Sequence, residues 1–423
     1  MARLQFGTFL APHHPLGEHP TLQFQRDIDF AAHLDRLGYD EFWVGEHHSS
    51  GWEMIASREM FLAGAAQHTH TIRLGTGVVS LPYHHPFNVA QRMVQLDHMC
   101  RGRAMFGSGP GALPSDARVL GIDPMVQRDR QDEALGVIRR LLRGEERFSY
   151  ECDWFTLRDA ALQLLPLQED MPCTVASSIS PSGMQLAGKH GIGVLSIAST
   201  STEGIAALPT QWGFAEESAA KHGQTVDRRN WRVMMSWHIA ETKEQARKEA
   251  VHGLHRWHNE YNVDILGRPG ATRVEDPWEL LDAVAEGGAS GGGAAVVGTP
   301  DDLVAAIRNL QEITGGFGVV LGFAHDWANR EATLRSWEMV ARYVIPEING
   351  YVRPLRESGA YLTANQGELM AGASAAVMSK IMSHEGAAQA MSITMANMAK
   401  AREAGESDTT FRPGAGLADA HKD

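Results

Sequence analysis

The feature that most constrains this chain is a rhythm: short apolar runs alternate with segments of helical periodicity along most of its length. Leu4–Leu10 is a first strand. Gln23–Leu37 then places Phe24, Ile28, Ala31, Leu34 and Leu37 at the spacing of one helix face, and Gly38 follows as a helix-terminating glycine. The alternation continues with strands over Glu41–Gly45, Ile72–Leu81, Gly102–Gly107, Thr174–Ser177, Val194–Ile197, Trp231–Ile239 and Phe317–Phe323. Helices are predicted over Glu59–His68, Phe87–Met99 and Gln131–Leu142. Strands joined by helices must run parallel, because a helical crossover returns the chain to the same end of the sheet. Eight such units predict an α/β chain folded as a (β/α)8 barrel. An open doubly wound sheet is the alternative.

Two segments break the rhythm. Glu241–Pro300 is a long insertion after the seventh strand; Lys243–His258 within it reads as helix, and it ends in the glycine-dense run Gly287–Gly293. From Tyr351 onward, Val377, Met378, Ile381, Met382, Met391, Met395 and Met398 recur at helical intervals. The expected organisation is a barrel over residues 1–350 and a C-terminal helical extension over 351–423, packed on the barrel or on a second subunit.

Charge excludes some partners. With 38 Lys plus Arg against 51 Asp plus Glu, the net charge is −13. That argues against a nucleic acid or an anionic membrane. No apolar run reaches the roughly 18 residues of a membrane span. The opening MARLQFGTFLAP reads as a strand rather than a signal peptide, so a cytoplasmic protein is expected. Cys100, Cys152 and Cys173 have no zinc spacing and read as thiols in a reducing compartment.

In a barrel of this kind, chemistry gathers where the strands end. Pro12-His13-His14-Pro15 follows the first strand and Glu46-His47-His48-Ser49-Ser50-Gly51-Trp52 the second. Gly75-Thr76-Gly77-Val78 lies within the third, ahead of Leu81-Pro82-Tyr83-His84-His85-Pro86. Gly107-Ser108-Gly109-Pro110-Gly111 follows the fourth strand and Ser177-Ser178-Ile179-Ser180-Pro181-Ser182-Gly183 the fifth. The adjacent histidine pairs argue against a metal, because neighbouring residues of an extended segment point oppositely. The sole H-x-H, His68-Thr69-His70, precedes the third strand, at the wrong end. Gly107–Ala112 formally matches G-x-G-x-x-A, but Pro110 and Pro114 interrupt the helix that a dinucleotide site needs. Its glycines still let backbone approach a flat ligand. The serine cluster before Gly183–His190 reads either as a plain helix cap or as an anion site, for which Arg128 or Arg130 offers a positive partner.

In this order, EFWVGEHH (Glu41–His48), LGTGVVSLP (Leu74–Pro82), His85-Pro86, LDHMCRGRAMFG (Leu96–Gly107) and ASSISPS (Ala176–Ser182) resemble the bacterial luciferase-like flavin-dependent monooxygenases. GEHHSSGWE (Gly45–Glu53) is similar to the limonene and diketocamphane monooxygenase branch. The resemblance implies a (β/α)8 barrel that binds reduced FMN at its C-terminal face. A separate NAD(P)H-dependent flavin reductase supplies the flavin, and O2 is co-substrate through a flavin C4a-(hydro)peroxide. The expected substrate is a small or medium apolar organic molecule: a terpenoid, ketone, aldehyde or alkene. A homodimer is expected.

Position by position, the resemblance makes His47 the catalytic imidazole, with His48 turned away. Thr76, Gly77 and Val78 fall beneath the flavin, with a cis peptide expected at Gly77–Val78. Gly109, Arg128 (Arg130 in reserve), Ser177 and Ser178 complete the cofactor site. Leu10, Trp52 and Tyr83, joined by His13, are candidate substrate walls. Three departures stand out. Gly109 replaces the reactive cysteine of luciferases, Pro110 an arginine, and Ser177 an acidic residue. They imply no light emission and a weaker phosphate grip, suited to a diffusible flavin. Two other readings are a hydride-transferring, F420-dependent oxidoreductase of the same superfamily and a catalytically idle flavin-binding paralogue.

Overall fold

The computed structural model describes residues 3–11, 13–197, 199, 201–268, 270–285 and 294–403. Eight parallel strands form a closed ring: β1 Gln5–Leu10, β2 Glu41–Val44, β3 Arg73–Thr76, β4 Ala104–Gly109, β5 Cys173–Ser177, β6 Gly193–Ser196, β7 Trp231–Ile239 and β8 Val319–Ala324. Register runs from Gly7↔Glu41 through Leu74↔Ala104, Thr174↔Gly193 and Arg232↔Val319, and Gln5↔Val319 closes the barrel. The barrel expectation therefore holds, and the open sheet is excluded.

Some boundaries differ. The apolar run Ile72–Leu81 is not one strand: β3 stops at Thr76, the Gly77–Val78 peptide is cis, and Val79–Ser80 pairs separately with β4. Ala295–Gly298 adds outside the ring to the far half of β7, and Phe148–Glu151 pairs with Thr156–Ala160 as a hairpin. The alternation marked neither pairing. In the insertion, helix Lys243–Arg256 widens into a π-type helix, Trp257–Ile265. The glycine run and Pro12 lie outside the described residues, apart from the run's neighbours.

Strand alternation sorts the core into two layers. Phe6, Phe42, Leu74, Phe106 and Val194 face outward onto helices carrying Leu34, Leu62, Val89 and Leu135. Phe9, Trp43, Met105, Leu195, Met234, Leu321 and Phe323 fill the interior. Trp43 sets the neighbouring strands' composition: a Cβ on Gly75 would stand 2.4 Å from its ring and one on Gly107 3.1 Å. Its indole donates to Glu41 at 2.7 Å, and Glu41 accepts two further bonds from Arg232, both at 2.7 Å. This buried ion pair sits among the apolar residues of the ring.

The chain divides into two compact units between Asn349 and Gly350. Among its described residues, the second contains helices Arg353–Met382 and Glu385–Glu403, with no buried side chain on the first. Among the described residues, no helix is long and apolar enough to cross a membrane.

Candidate active site

The segment after β2 carries two histidines whose rings diverge, as adjacent positions on extended backbone must. His47 Nδ1 lies 2.8 Å from Asp116 Oδ2, and its Nε2 lies 2.9 Å from Glu53 Oε2. His48 turns the other way, onto Glu46 at 2.7 Å; the same carboxylate oxygen meets His84 Nε2 at 3.1 Å. Arg58, fully buried, pairs with Glu46. Burial, helped by the Arg58 and Arg92 guanidiniums, pushes the His84 imidazole down to about 4, so it is neutral near pH 7.

Asp116 belongs to the short helix Pro114–Val119 after β4. It holds His47 and also accepts from the His48 backbone N–H at 3.0 Å and from the Ser49 hydroxyl. Burial alone would push this carboxyl up. The bonds from His47, Ser49 and His48 outweigh burial and hold it below the usual carboxylate range.

Glu53 is buried at the other side of His47. Its Oε1 lies 2.7 Å from His13 Nε2 and accepts from the Tyr261 hydroxyl. His13 Nδ1 accepts from Trp257 Nε1 at 3.2 Å. An indole can only donate, so the His13 proton sits on Nε2, facing Glu53. Burial first, then the charges of Arg268, His47 and His14, push His13 well below the usual imidazole range, which keeps the ring neutral. Aromatic rings wall this corner: His13 lies 4.5 Å from Tyr261 and 5.4 Å from Phe323, and Trp52 5.3 Å from Tyr261.

A cleft of about 740 Å³ opens beside these strand ends, lined by Val78, Pro110–Ala112, Arg128, Ser177, Ser178 and the start of helix Ser182–His190. Close backbone approaches shape it. A Cβ on Gly183 would stand 2.5 Å from the Ala176 carbonyl oxygen, and one on Gly109 2.5 Å from Val78. Arg128 lies on the cleft, whereas Arg130 sits over the Trp154 ring at 5.3 Å.

The structure thus gathers Val78, Arg128, Ser177 and Ser178 on one cleft, with Gly109 packed against Val78 and Gly77 against the Phe9 and Trp43 rings of the interior. Thr76 does not line it: its hydroxyl bonds the Gly107 carbonyl at 3.1 Å and accepts from the Gly107 N–H at 2.9 Å, tying β3 to β4. Tyr83 is half-buried, its hydroxyl held by Gln127 at 2.8 Å. Trp52 is buried against Tyr261. Leu10 is not with these residues. Strand parity turns Phe9 inward and Leu10 into the helix-facing layer, at the edge of a separate hollow beside His14, Asp27 and Asp326. Asp116, Glu53, Trp257 and Tyr261 were not among the residues singled out in the sequence. Glu53 stands six residues beyond His47 in the same motif, the nearest thing to a signal; Trp257 and Tyr261 arrive from the insertion, far away in sequence.

Residues 4–315 match the family described as luciferase-like monooxygenase. The chain belongs to the luciferase-like monooxygenases. It is 49% identical over 354 residues to 4-hydroxyprotoasukamycin monooxygenase of Streptomyces nodosus subsp. asukaensis, covering 83% of this chain and 94% of that protein. It is 47% identical over 352 residues to limonene 1,2-monooxygenase of Rhodococcus erythropolis, covering 83% and 88%. Among solved structures, the FMN complex of the oxygenating constituent of 3,6-diketocamphane monooxygenase from Pseudomonas putida superimposes with a TM-score of 0.67 at 25% identity, covering 81% of this chain and 98% of that one. The expectation of a monooxygenase, drawn from the strand-end motifs, stands on these matches.

Proposed function

We propose that the chain is the oxygenase of a two-component system, using reduced FMN from a separate NAD(P)H-dependent reductase and O2 to oxygenate a small apolar molecule such as a terpenoid, ketone, aldehyde or alkene. One observation carries the reading: an imidazole hydrogen-bonded at Nδ1 to one carboxylate and facing a second at Nε2 stands in the same strand-end layer as a cleft of flavin size with a cation and a helix N-terminus on its wall.

The residues present fit FMN. Arg128, the Ser177–Ser178 backbone and the first turn of Ser182–His190 would hold a phosphate, since a guanidinium and free N–H groups are its natural donors. Val78, backed by Gly109, offers a flat apolar support for a ring system. When bound, reduced FMN supplies the electrons that activate O2. The chain's own part is to orient, to exclude water and to manage a proton. His47 holds and exchanges that proton at Nε2, while Asp116 fixes the ring from Nδ1. Trp52, Tyr83 and His13 are the residues we assign to the substrate side.

An F420-dependent hydride transfer is the second reading; only fold likeness supports it, through an F420-dependent alcohol dehydrogenase at 21% identity. The test pairs the protein with an NADH:FMN reductase and a panel headed by limonene, under air and under argon. Oxygenated product under air alone is expected, and His47→Ala should lose at least about tenfold in product while binding FMNH2 normally. Normal turnover by that variant would remove His47 from the chemistry, and turnover under argon would favour the second reading.

A further inference from the structure

We propose that Glu53 is the positioning residue of this site, orienting His47 from its Nε2 side, and that Tyr261 and His13 in turn hold Glu53. The proposal rests on the reading of His47 as the proton-exchanging group. Glu53 closes the GEHHSSGWE motif, to which the resemblance gives no role at this position; the geometry supplies one.

Glu53 is only 5% exposed, and both its backbone and its carboxylate are fixed. Its backbone forms an isolated antiparallel bridge with His13, and its N–H donates to Ser50 Oγ at 3.1 Å. Oε1 accepts from two donors of settled direction. One is His13 Nε2–H, settled because Trp257 occupies Nδ1. The other is the Tyr261 phenol, which burial pushes up to about 12 and keeps protonated. With Oε1 satisfied, Oε2 has no aligned hydrogen-bond donor among the described residues although it is buried, and His47 Nε2 lies 2.9 Å from it. A buried carboxylate oxygen left unpaired is costly. Asp116 takes the Nδ1–H, so when the ring also carries a proton on Nε2, Glu53 Oε2 is the acceptor beside it and the imidazolium stands between two carboxylates.

The anchoring residues come from three separate loops. His13 follows β1, Glu53 lies in the loop after β2, and Tyr261 and Trp257 sit on the π-type helix of the β7 insertion. The charged and titratable groups around His47 are Glu53 and Asp116 in contact and His13 beyond Glu53; Arg268 acts on His13 and Tyr261. The insertion thereby acquires a stated role: it delivers the phenol and the indole that set the Glu53 carboxylate.

The test uses the full chain with 15N-labelled histidine. In Glu53→Gln, the His47 Nε2 resonance of the flavin-free protein should move clearly from its wild-type position, with the Nδ1 resonance moving less. In the FMNH2-loaded protein, the rate of oxidation by O2 should change about tenfold, with FMNH2 affinity within about twofold of wild type. Tyr261→Phe should move the same resonance in the same direction by a smaller amount, and Glu53→Asp should restore part of the wild-type signal. If Glu53→Gln does not fold, as judged by circular dichroism, Tyr261→Phe decides by the same spectrum. Unmoved His47 resonances in a folded variant would overturn the proposal. The two readings fail separately: an active His47→Ala would end the catalytic reading, while the spectrum of the Glu53 variant alone decides whether this carboxylate orients the ring.

Discussion

Replacing Arg232 by Met should unfold the protein far more readily than its conservative shape suggests. Glu41 is 1% exposed and Arg232 4%, and both their hydrogen bonds measure 2.7 Å. The guanidinium also lies 5.2 Å over the Trp43 ring that fills the barrel. Methionine matches the stem's volume but leaves the Glu41 carboxylate buried with only the Trp43 indole as donor. Stranding one member of a buried pair costs about 3–5 kcal/mol. Against a total stability of about 5–15 kcal/mol, that is a large fraction. Urea unfolding followed by tryptophan fluorescence measures it. The companion variant Arg232→Met/Glu41→Gln removes the stranded charge while its amide oxygen still accepts from Trp43. It should recover more than half the loss. If the single variant unfolds within about 1 kcal/mol of wild type, or the double variant recovers nothing, the charge of Glu41 is not what the pair controls and the reasoning fails.

Two further predictions concern the cleft and the hollow beside β1. Arg128→Ala should weaken FMNH2 binding about tenfold, the exposure of the guanidinium keeping the effect modest, whereas Arg130→Ala, removing a group that lies on Trp154, should leave it within about twofold; equal effects in a binding titration would undo the distinction. His14 lies 2.9 Å from both Asp27 and Asp326. Burial alone would lower its pKa, but those two hydrogen bonds outweigh burial and raise it to about 9. A raised folded-state value stabilises the fold fully below the unfolded histidine's pKa of about 6.5. That contribution is lost as pH rises through about 9. The urea midpoint should fall between pH 6.5 and 9.5, and His14→Gln should flatten the decline; a wild-type midpoint level across that range would contradict the assignment.

The strands of the barrel were legible because most centre on a short apolar stretch between helical segments, and β7, Trp231–Ile239, matches its predicted bounds. Where the run outlasted the strand, as at Ile72–Leu81, apolar composition hid a break in the backbone. Leu10 shows a finer limit. A strand buried on both faces has no polar alternation to reveal its parity, so nothing in Leu4–Leu10 marked Phe9 as the inward residue. The cleft was readable as glycines and hydroxyls after strands. The carboxylates around His47 were not, because Asp116 and Glu53 look like ordinary acidic residues until the fold places them 2.8 and 2.9 Å from one ring. Tyr261 and Trp257 were hidden for a topological reason: the insertion after β7 folds back toward β1 and β2, a contact no local pattern encodes.

The most direct test of the central claim is an isotope experiment. The protein is loaded with FMNH2 without oxygen, then mixed with 18O2 and limonene, and the product is examined by mass spectrometry. An oxygenase built around this cleft and His47 yields product carrying one labelled oxygen atom, with the yield collapsing in His47→Ala. Product without the label, or product formed before oxygen is admitted, would contradict it.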